Sequence, residues 1–181
     1  MIYSQDFHKV EDLVALFNQE FADCNTCLQA GAEEPFYQAA VEGKPAIIYS
    51  TYDYFASALH ECAHWCIAGE KRRQLDDYGY WYAADGRTAQ QQQEFFQVEQ
   101  KPQALEWAFA LAANLPFRLS LDNLNNPTGD AETFREQVYA SLTDYFELGF
   151  PTRALRMIQM LCRYYRQGQP IQIPDISSCS I

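Results

Sequence analysis

The chain has 181 residues, 48% of them hydrophobic and 15% aromatic, with a formal net charge of −11 and a pI near 4.6. That length and aromatic content supply a packed core and argue against disorder. The acidity argues against binding a phosphate backbone and favours cationic substrates or partners.

No stretch approaches 18 uninterrupted apolar residues, and Met1 to Val10 lacks the apolar centre of a signal peptide. The expectation is therefore a cytoplasmic, most simply monomeric protein with no membrane and no nucleic acid among its partners. The six cysteines, Cys24, Cys27, Cys62, Cys66, Cys162 and Cys179, then read as reduced thiols.

In chain order, Val10, Leu13, Val14, Phe17 and Phe21 recur at helical spacing and predict an amphipathic helix over 10–22. Residues 23–45 are mixed, with glycine and proline breakers around a short strand at Phe36-Tyr37. Cys24 and Cys27 form a lone C-x-x-C without a second pair, which points to neither zinc nor redox use. Ala46 to Tyr49 predicts a buried strand, and Ser50, Thr51 or Asp53 can cap the helix that follows, with Gly69 as its stop.

Thr88 to Gln100 predicts a glutamine-rich helix with Phe95 and Phe96 inward, kinked or restarted at Pro102. Beyond it, Leu105, Ala108, Phe109 and Ala112 give a core face, and 115–129 reads as loop. Asp130 can cap a helix carrying Phe134, Val138, Leu142 and Tyr145, and Pro151 starts a last helix with Ala154, Ile158, Leu161 and Tyr165 inward. Residues from about 169 to 181 read as a loose tail. The prediction is a single α+β domain over 1–181, mainly helical, with a small β-sheet.

Within the second helix, His60-Glu61-Cys62-Ala63-His64 spells H-E-x-x-H and uses two of only three histidines. Chance would supply about 0.003 to 0.004 such matches at this composition, so the motif is treated as a metal site. Residues four apart share a helix face, and Phe55, Leu59, Cys62 and Cys66 follow a separate course toward the core. Glu61 lies about 100° from His60 around the helix, on the same side as His64, within reach of whatever the metal holds.

Two histidines need a third ligand. His8 is remote, near a chain end, and needs no role of its own. Glu70 has the spacing of the third ligand in metzincin-type proteases, but Ile67 stands where those enzymes need glycine. Glu99, on the next helix beside Phe95 and Phe96, ranks first. Two His and one carboxylate serve both non-haem Fe(II) oxygenases and zinc hydrolases, where the motif glutamate is general base, so the ligands alone do not choose.

Ala58 to Gly69, Arg72-Arg73, Tyr78-Gly79-Tyr80-Trp81-Tyr82, Asp85-Gly86-Arg87 and Val98 to Leu105 stand in the order and spacing of a known family. From the Glu34-Pro35 loop to Asp122-Asn123-Leu124 the chain resembles the bacterial elongation factor P hydroxylases. The resemblance implies a cytosolic monooxygenase acting on the β-lysylated lysine of elongation factor P. It implies an iron-like metal on His60, His64 and Glu99, with O₂ as co-substrate. The fold it implies is a small sheet packed with helices, not a double-stranded β-helix.

On that reading Glu61 is a supporting residue, acting through a ligand rather than as an essential base. Tyr78, Tyr82, Asp85 and Arg87 are candidates for substrate contact, and Asp76 and Asp77 for an acidic cleft. No motif that would clamp 2-oxoglutarate is recognised. The alternative is a zinc metallopeptidase with Glu61 as general base.

Overall fold

A computed structural model describes residues 8–77, 88–121 and 131–181, and the chain packs as two compact units, Met1–Gly79 and Tyr80–Ile181. The first unit runs α1 (Val10–Glu20), β1 (Thr26–Ala32), β2 (Phe36–Gln38), β3 (Ala46–Thr51) and α2 (Phe55–Ile67). Its sheet has the order β1-β3-β2, with β1 parallel and β2 antiparallel to β3. β3 alternates buried and half-buried positions, so Ala46, Ile48 and Ser50 share the inner face. Both α1 and α2 pack on this sheet, and Trp65 of α2 meets Phe17 of α1 and Phe21, the residue after that helix, edge-on at 5.3 and 5.1 Å between ring centroids.

The second unit runs α3 (Ala89–Ala112), β4 (Phe117–Arg118), α4 (Ala131–Leu148), α5 (Thr152–Tyr165) and β5 (Cys179–Ser180). α4 and α5 pack on α3, with Phe96 stacked on Phe134 at 4.2 Å and Trp107 on Phe117 at 5.1 Å. Thr88 caps α3 reciprocally: its hydroxyl accepts from Gln91 N–H, and the Gln91 side chain accepts from Thr88 N–H. The predicted helices, the central strand and the short β2 are all present. No helix among the described residues is long and apolar enough to cross a membrane.

Several expectations are corrected. β1 was hidden by Gly31 and by its short apolar content, because only Thr26 and Leu28 are fully buried along it. None of Ser50, Thr51 and Asp53 caps α2, since Ser50 and Thr51 still belong to β3. Tyr54 takes the cap position without a side-chain bond, and the Ser57 hydroxyl instead accepts from Thr51 N–H at 3.1 Å. α2 ends by going extended at Ala68, not by a left-handed turn at Gly69.

Pro102 lies inside an unbroken α3, where the carbonyl that loses its helical partner belongs to Val98, a residue 38% exposed. Part of the 115–129 loop is β4, and Asp130, the cap expected for α4, lies outside the described residues. The tail is fastened rather than loose. β5 pairs with β4, Cys179 is buried, and Tyr139 donates to the Pro174 carbonyl at 3.0 Å.

Candidate metal centre

α2 presents its small and apolar residues to the sheet, burying Phe55, Ala58, Leu59, Cys62, Ala63, Trp65 and Cys66. That leaves His60, Glu61 and His64 half-buried on another side, as the helical spacing predicts. The Nε2 atoms of His60 and His64 face one another at 3.1 Å, with ring centroids 4.7 Å apart. Facing ring nitrogens need either a shared proton or a shared cation between them. Two nitrogens each about 2.1 Å from one ion, at bond angles between tetrahedral and octahedral, stand roughly 3.0–3.4 Å apart. The observed pair fits that window.

Glu99 lies on α3 and is only 3% exposed. A carboxylate this far from water holds its charge only with a cation or several donors beside it. It belongs to a buried polar stripe on α3: Gln92, Glu99, Gln103 and Glu106 recur at i, i+7, i+11 and i+14. Two members serve structure. Gln103 exchanges two hydrogen bonds with the Ser120 backbone (2.8 and 3.0 Å), and Gln92 donates to the Leu121 carbonyl at 3.2 Å. Sequence reading missed that stripe, although the glutamine spacing carried its signal.

Among the described residues, His60, His64 and Glu99 are the group that could hold a metal ion: their ligand atoms lie within 4.8 Å of one another. Two imidazole nitrogens and one carboxylate suit a first-row divalent ion. Burial, and secondarily Cys66 and Glu61, push the Cys62 thiol well above its usual range, and Cys62 lies on the buried face of α2 rather than with the histidines. None of the six cysteines is in a disulfide.

The remaining candidates divide. Glu70 is exposed. Asp77 is held by Arg72 (2.6 Å), and Asp76 accepts from Ala39 N–H at 2.8 Å, so both have structural work. His8 is not idle, since its ring meets Phe55 edge-on at 5.4 Å. Tyr78, Tyr82, Asp85 and Arg87 lie outside the described residues.

The ligand set describes a metal-dependent enzyme without choosing its reaction, and the comparisons supply the class: a hydroxylase. Residues 16–175 match the family described as elongation factor P hydroxylase, and the chain belongs to that family. It is 44% identical over 168 residues to the elongation factor P lysine hydroxylase of Haemophilus influenzae (strain ATCC 51907 / DSM 11121 / KW20 / Rd), spanning 92% of this chain and 94% of that protein.

Proposed function

We propose that this protein is an Fe(II)-dependent monooxygenase that hydroxylates the β-lysylated lysine side chain of elongation factor P in the cytoplasm. The observation that carries the reading is the grouping of His60, His64 and Glu99 in a chain of this family. His60 and His64 would offer neutral ring nitrogens and Glu99 one negative charge, leaving the rest of the ion's surface for substrate-side ligands. When held by His60, His64 and Glu99, such an ion would supply O₂ activation. In the overall balance one oxygen atom enters a C–H bond, and the other leaves as water with two electrons and two protons from a donor.

The chain's own residues bind, orient and attract. The α2 core face fixes the pitch at which the two imidazoles project, and Glu61 acts on a ligand's orientation rather than on a water nucleophile. A net charge of −11 draws in a side chain bearing closely spaced ammonium groups. Both compact units serve this single activity. Tyr78, Tyr82, Asp85 and Arg87 are proposed to contact the substrate.

The test is intact-mass analysis of β-lysylated elongation factor P incubated in air with Fe(II)-loaded protein and a reductant. A gain of about 16 Da is expected, and its absence with the metal shown to be bound would overturn the assignment. Glu61→Gln should retain hydroxylation, whereas a zinc peptidase would be dead with that change.

A further inference from the structure

Among the described residues β1 is an edge strand of its sheet, and a groove of 860 Å³ runs between it and α1. Asn25 O accepts from Ala46 N–H, so Asn25, Cys27 and Gln29 turn their backbone groups toward β3, and Thr26, Leu28 and Ala30 turn theirs outward. Asn18 takes both outward groups of Leu28, donating to its carbonyl at 3.1 Å and accepting from its N–H at 2.7 Å. That clamp protects one step of the edge. At the next step Ala30, beside the register shift between Gln29 and Ala32, lines the groove, and strand alternation turns its backbone groups to the side away from β3.

Two further observations point to an occupant. Tyr52, which lines the groove, holds a left-handed backbone (φ 43°) unusual for a bulky residue, yet the residue is 50% exposed and its ring meets that of Tyr54 edge-on at 5.7 Å. Its N–H and C=O are pinned by Ala32 and Gly31. A glycine would satisfy that geometry without strain, so the backbone itself does not call for a tyrosine there. Among the described residues, the charged ones lining the groove are Glu11 and Asp53, both acidic, beside apolar Val10 and Val14.

We infer that this groove receives an extended segment of the protein substrate bearing lysine or arginine, hydrogen-bonded to the backbone of Ala30 and with a cationic side chain against Glu11, Asp53 and the Tyr52 ring. It rests on the reading of this protein as an enzyme acting on another polypeptide. The site is separate from the metal ligands, so it governs how the substrate is held rather than the chemistry.

The experiment uses the full-length, metal-loaded protein. Amide exchange at Ala30 should slow when elongation factor P is added, while Leu28, already bonded to Asn18, changes little. The pair Glu11→Gln and Asp53→Asn should raise KM about fivefold or more at low salt, with less than a twofold change in kcat. Tyr52→Gly should raise KM while leaving Tm unchanged or higher; a ring with a purely structural role would lower Tm and leave KM alone. Unchanged KM in these variants together with unprotected Ala30 overturns the inference, as does protection that grows with enzyme concentration alone, which would assign the groove to a second copy. Should elongation factor P not be hydroxylated at all, the groove is still decided by titrating the peptide acetyl-Lys-Val-Lys-Thr-Val-Lys-amide. Shifts at the Ala30 and Gly31 amides that vanish in the Glu11/Asp53 variant sustain it, and no shifts reject it.

Discussion

Glu99 carries more of the functional reading than either histidine, because burying a carboxylate to 3% exposure is costly unless its charge is used. Glu99→Ala and His64→Ala should each lose bound metal, measured by elemental analysis of the purified protein, while far-ultraviolet circular dichroism stays that of the parent. Activity should fall by more than the roughly 10–100-fold that losing an outer partner of a metal ligand costs. Glu70→Ala, at an exposed position, should keep the metal. Cys179 offers a second test at a single side chain. Burial pushes its thiol from 9.0 to about 11. The fold therefore favours the protonated form, and this contribution is fully present below pH 9 and lost as pH rises toward 11. Thermal melts between pH 8.5 and 11 should show a steeper decline for the parent than for Cys179→Ala.

The elements were foreseen where one apolar face repeats, and missed where polar backbone matching does the work. α1, α2, α4 and α5 each carry a stripe that the structure buries, and the H-E-x-x-H pair could be placed by helical spacing alone. β1 has no such pattern. Its position depends on Asn18, ten residues away, a partner that no local periodicity announces. The capping of α2 failed for a related reason: β3 extends to Thr51, so the polar residues read as caps were already strand. Choosing Glu99 over Glu70 required knowing which carboxylate is buried, and the neighbouring Phe95 and Phe96 gave only an indirect sign of that. Two substitutions gauge these elements. Asn18→Ala removes two side-chain bonds to β1 and should cost about 2 kcal/mol, or roughly 4–8 °C in Tm. Thr88→Ala breaks the capping box and should cost about 1 kcal/mol, read as a lower urea midpoint with an unchanged slope.

For the molecule as a whole, stability and function would meet in a bound metal ion. Its candidate ligands are two ring nitrogens 3.1 Å apart and a buried carboxylate. An ion bound to the folded chain and not to the unfolded one stabilises by RT ln(1 + [L]/Kd), about 4 kcal/mol at a thousandfold excess over Kd. The Tm of the parent should therefore climb with added Fe(II), or with Co(II) as an air-stable substitute, and return to the apo value with a chelator. Glu99→Ala should show no such climb. A Glu99→Ala protein whose Tm still climbs with the added ion would mean that the metal has a different third ligand.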